Sequence, residues 1–113
     1  MVKARGVVNP FVPSLIPKTL RILGKDYAVK VKRIPGEEWG LFKGPQQTIE
    51  LNRGFASMDE AVDTLLHEVI HAIEYNQNME YDETRTRAEA TQLLAIIRDN
   101  PQFAQLLLGN YER

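Results

Sequence analysis

Ser57-Met58-Asp59-Glu60-Ala61-Val62-Asp63-Thr64-Leu65-Leu66-His67-Glu68-Val69-Ile70-His71-Ala72-Ile73-Glu74 is the stretch that decides the fold. Ser57 with Glu60 three residues on is a capping box, which satisfies free backbone donors and predicts a helix start. Met58, Val62, Leu65, Val69 and Ile73 then recur at helical spacing, joined by Ala61, Leu66, Ile70 and Ala72. So broad an apolar face belongs in a core. Residues four apart stack on one face of a helix, which aligns His67 with His71. With Asp63, Thr64 and Glu74 they fall on a different side from the stripe, as expected of a site open to solvent.

Two imidazoles at this spacing can hold one ion. Neutral histidine nitrogen binds Zn²⁺ at about 2.0–2.1 Å, and a catalytic zinc takes three protein ligands and leaves a position to water. Glu68, beside the first histidine, is placed to reach that water rather than the metal. It is the expected general base, acting on a water whose pKa the ion lowers to roughly 7. This is the mechanical content of an H-E-x-x-H string. The chain has only two histidines, and both fall in it. The competing reading is a pair of surface histidines beside a chance glutamate.

With no cysteine and no further histidine, the third ligand is expected among carboxylates after His71. Glu74 follows within one turn, too close to swing round to the open side of an ion held by its own helix. Asp82 and Glu83 open the next helix after a short connection. Glu89 sits about two turns into that helix, where antiparallel pairing returns it toward the histidines, and it is the favoured ligand. Glu83 is the alternative, and a ligand of another type remains open. The competing role for Glu89 is a weak pair with Arg85 four residues earlier, worth only a few tenths of a kcal/mol.

Around this helix the chain divides into an arm and a domain. Pro10, Pro13 and Pro17 make residues 1–18 an extended N-terminal arm, which either packs on the domain, covers the cleft or reaches a partner subunit. Residues 19–113 form the single domain. Thr19 to Ile34 reads as a hairpin turning at Gly24-Lys25-Asp26, Trp39 to Phe42 as a short third strand, and Gln47 to Asn52 as a fourth. Asn76-Gln77-Asn78 ends the motif helix. Asp82 or Thr84 caps a second helix running to Asp99, Pro101 stops it, and a last helix spans Gln102 to Leu108 before Gly109 and a tail to Arg113. The expected fold class is α+β, a small antiparallel sheet packed beside the H-E-x-x-H helix and a second, ligand-bearing helix.

A chain of 113 residues with a net charge of −1 carries no electrostatic footprint of a nucleic-acid or membrane-surface binder. No apolar run approaches the 18 or more residues of a spanning helix, and the prolines break any signal-peptide core. Absent cysteine fits a reducing compartment, so a cytoplasmic protein is expected.

His67-Glu68-x-x-His71 followed by Glu89-Ala90 resembles the gluzincin arrangement, with two histidines on one helix and a glutamate on the next. Thr48-Ile49-Glu50-Leu51 leading into Leu65-Leu66-His67-Glu68, and Arg98-Asp99-Asn100-Pro101 later, resemble the short phage or prophage relatives of the ImmA/IrrE-type metallopeptidases. The resemblance covers roughly Thr19 to Pro101. It implies a zincin-like fold and a zinc-dependent endopeptidase with a peptide or protein substrate. It also implies a strand near the cleft that pairs with extended substrate, by position Gln47 to Asn52. The alternative is a proteolytically silent zinc-binding regulatory module of mobile-element origin. Tyr75, Tyr81 and Arg85 are the donors near in sequence for stabilising an oxyanion.

Overall fold

A computed structural model describes residues 9–111; the first eight residues of the expected arm, and Glu112 and Arg113 of the expected tail, lie outside them. Four strands form one sheet: β1 (Thr19–Ile22), β2 (Lys25–Lys32), β3 (Gly40–Lys43) and β4 (Thr48–Asn52). Three helices follow, α1 (Met58–Asn76), α2 (Glu83–Asp99) and α3 (Pro101–Leu107). The fold is α+β.

The hairpin turn falls at Leu23-Gly24, one step earlier than expected, because both residues take positive φ, 50° and 83°. Consecutive left-handed residues match the twist of a two-residue hairpin, which frees Lys25 and Asp26 to pair with Ile22 and Arg21.

Spatial order is β1-β2-β4-β3, and the sheet is mixed rather than antiparallel. After β2 the chain skips one position, lays down β3 at the edge, and returns through residues 44–47 so that β4 fills the gap. That return makes β4 antiparallel to β3 and parallel to β2. The strand expected to pair with substrate is therefore interior, with both sides occupied. Its buried Ile49 and Leu51 instead anchor the core with Tyr27, Val29, Ala61 and Ala72.

Ser57 caps α1 as expected, its Oγ accepting from the Glu60 amide at 3.2 Å. The orientation of the helix differs from the expectation. Glu68, His71 and Glu74 are buried, whereas Ile73, assigned to the core stripe, is exposed. The histidine face is covered because α2 crosses it. Asp82 caps α2 by accepting from the Arg85 amide at 3.0 Å, and the buried Thr86 and Ala90 form its contact face. Short side chains there let the two backbones approach closely.

From residue 9 the arm packs on the domain. The Met58 amide donates to the Asn9 carbonyl at 2.9 Å, Ile16 enters the core, and Phe11 meets Phe55 edge-on at 5.5 Å. None of its described residues lines the cleft described below. Among the described residues, no helix is long and apolar enough to cross a membrane.

Candidate metal centre

Helical spacing on α1 brings the two imidazoles together, their Nε2 atoms 3.1 Å apart. Both face the first turn of α2. Glu83 Oε1 lies 2.7 Å from His71 Nε2, and Glu83 Oε2 lies 3.1 Å from His67 Nε2. His67, His71 and Glu83 thus form a group whose ligand atoms all fall within 4.8 Å of one another, the kind of set that can hold a metal ion.

The donor chemistry fits zinc. Two imidazole nitrogens and one carboxylate oxygen are the ligand types of a three-ligand catalytic site. Donors about 2.0–2.1 Å from one tetrahedral centre lie roughly 3.3 Å from each other, close to the spacings found here. Glu83 is the exposed member and His71 the buried one, so the group opens on one side.

Glu89, the favoured ligand from sequence, is not in this group. It lies six residues beyond Glu83, which on an α-helix is about 9 Å along the axis and roughly 120° round it. Its carboxylate sits 3.9 Å from Arg85 Nε, with both side chains nearly half exposed, the weak helix pair weighed against a ligand role. Glu83 succeeds because Thr86 and Ala90, three and seven residues on, define the face that α2 turns toward α1. That run of small residues was the available sequence signal.

Glu68 is outside the donor group but within the same cleft. Glu37, Glu38, Trp39, Gly40, Thr64 and His67 are among its neighbours in a space of about 290 Å³. Burial pushes its carboxyl up to about 7, with the His71 side chain opposing that rise and the charges of Glu83 and Glu38 adding to it. Strand β3 passes tightly over it. A Cβ on Gly40 would meet Thr64 Cγ2 at 2.8 Å and Glu68 Oε2 at 2.9 Å, closer than real contacts allow. Sequence reading assigned Gly40 no part in the site.

Behind the histidines lies Glu74, which was set aside as a ligand and does not join the donor group. Its Oε1 accepts from His71 Nδ1 at 3.0 Å, and its Oε2 accepts from Thr86 Oγ1 at 2.9 Å and Arg85 Nη2 at 3.3 Å. Burial works against its charge, yet these three donors outweigh it and hold the carboxyl below its ordinary range.

Of the three side chains considered for an oxyanion, Tyr81 stacks on a member of the His67–His71–Glu83 group. Its ring lies over that of His71, with centroids 4.7 Å apart and planes tilted by 34°. Partial burial and the charges of Glu74, Glu68 and Glu83 raise its phenol above the ordinary value. Tyr75 packs edge-on against Phe42, and Arg85 is engaged by Glu74.

No family model, curated protein or solved structure matches the chain.

Proposed function

We propose that the chain is a zinc-dependent metallopeptidase of the zincin type in which His67, His71 and Glu83 hold the ion and Glu68 is the general base. One observation carries this reading: three donors from two helices converge, while the motif glutamate lines the same cleft as His67 and Glu83 without being one of the three. Zinc bound there supplies a Lewis acid that polarises a carbonyl and makes water a stronger acid.

The chain's own residues account for the remaining requirements. Glu68 takes a proton on a carboxylate oxygen and can pass it to a leaving amine. Strand β3 lies at the sheet edge beside Glu68, with no strand on its outer side among the described residues. Its free backbone groups suit an extended peptide, the role first assigned to Gln47–Asn52. At about 290 Å³ the cleft lies at the small end of binding sites. It accommodates little more than one residue, so main-chain pairing along β3 supplies the rest of the grip.

Protein made without chelator or a histidine tag is expected to contain one zinc per chain and to cleave labelled casein or a peptide library. Glu68→Gln is expected to keep zinc and fold while cleavage drops by at least about 100-fold, the usual scale of a general base. Undiminished cleavage by that variant would sink the mechanism. Zinc at full stoichiometry with no cleavage by the wild type selects the silent binding module, which the small cleft favours. A chain that takes up no zinc overturns both.

A further inference from the structure

Glu74 is the most buried carboxylate among the described residues, only 2% exposed; Glu50 and Glu68 are each 6% exposed, the first held by Lys32 and Lys43 and the second in the cleft. Burying such a charge with its partners seldom adds stability over an apolar side chain of similar size. Its geometry gives it a different use.

An ionised carboxylate only accepts hydrogen bonds, so the 3.0 Å contact to Glu74 Oε1 requires the proton on His71 Nδ1. Nε2 is then the ring atom that faces His67 and Glu83, and the Glu83 oxygen 2.7 Å away, itself only an acceptor, requires a proton or a cation on it. The other oxygen of Glu74 is held by Thr86, fully buried on α2 one turn after Glu83. The same carboxylate therefore grips the ring of one donor and the helical turn that carries another.

Resting on the zinc-site reading above, we propose that Glu74 is the positioning residue of the site. It keeps a proton on His71 Nδ1 and ties the first turn of α2 to α1, so that Nε2 and the Glu83 carboxylate are aimed at one point where an ion would bind. Partners of this kind behind a metal-binding histidine typically contribute ten- to hundredfold in affinity. Arg85 and Thr86 complete the arrangement by occupying the oxygen that His71 does not use.

Two measurements on the full chain test this. In the zinc-free wild type at pH 8, ¹⁵N spectra of the imidazoles are expected to show His71 protonated at Nδ1. Finding Nδ1 without a proton overturns the proposal, and no variant is needed to learn it. In Glu74→Gln, competition with a chromophoric chelator is expected to show Zn²⁺ affinity lowered about ten- to hundredfold, with the far-ultraviolet circular dichroism retained. A folded variant with wild-type affinity overturns the positioning role. Should the wild type bind no zinc, the metallopeptidase reading fails, while the proton on Nδ1 still reports whether Glu74 holds the ring.

Discussion

The two ends of α2 are built on opposite plans. At its N-terminal end, polar side chains are buried and mutually satisfied: Thr86 donates to Glu74, and Glu74 accepts from His71. Toward its C-terminus and into α3, large apolar side chains face outward, among them Leu93, Ile96, Phe103 and Leu107. A structure serving stability alone would bury the second set and expose the first, since buried polar groups need exact partners while apolar area is stabilising wherever it is covered. The contrast teaches that the α1–α2 crossing is arranged around position. Substitutions at the two ends should accordingly differ in kind as well as size.

The largest expected difference lies between two glutamates of the same helix. Glu83→Ala removes one of three donors and should lower Zn²⁺ affinity by more than about 100-fold, as befits a ligand itself when the supporting partners of ligands already contribute ten- to hundredfold. Glu89→Ala removes only a weak contact to Arg85 and should leave affinity within about twofold. Chelator competition on both variants checks the pair. Equal losses would place the third ligand elsewhere, and a loss confined to Glu89→Ala would restore the assignment favoured by sequence.

A smaller effect is expected across the cleft from α2. Gly40→Ala forces a methyl group to within 2.8–2.9 Å of Thr64 and Glu68, so either β3 or Glu68, the proposed general base, must shift. A misplacement near 1 Å can cost on the order of 100-fold when it touches reacting groups, and partial relaxation of β3 should hold the loss in cleavage to about tenfold. Zinc affinity should change little, because the atoms nearest the added methyl belong to Thr64 and Glu68 and not to a donor. Loss of zinc together with cleavage would mean that β3 supports the ligands and not the base.

These two cases also mark how far the sequence could be read. The H-E-x-x-H pair and the Ser57 cap are local, decided by helical spacing or by one side chain and one amide a turn apart, and the structure has both where the sequence placed them; of the two caps open for α2, Asp82 and Thr84, it uses Asp82. The third donor depended on which face of α2 turns toward α1. Antiparallel pairing alone favoured Glu89, two turns in, but the face that α2 buries is made by Thr86 and Ala90 and carries Glu83 with it. The edge strand was hidden for a different reason. Chain order puts Gln47–Asn52 nearest the motif helix, whereas β4 lies between β2 and β3, and only the pairing topology shows that β3 has the free side. Glu74 was judged solely as a ligand; its spacing of three from His71 equally allowed the contact it makes, from behind the ring.

The smallest effects test whether polar burial at one end of α2 and apolar exposure at the other carry different weight in folding. Thr86→Val keeps shape and volume but deletes the hydroxyl that donates to Glu74 at 2.9 Å. The buried carboxylate then retains His71 and Arg85 as donors, so the expected loss is about 1–3 kcal/mol, the usual cost of removing one partner from a buried or charged group. Leu93→Ala truncates a side chain that is 47% exposed and should change stability by no more than about 0.5 kcal/mol. Urea unfolding of both variants, followed by circular dichroism, measures the difference directly. A cost for Leu93→Ala equal to that of Thr86→Val would mean that the outward apolar face is covered in solution, and that the two ends of α2 are less unlike than their side chains suggest.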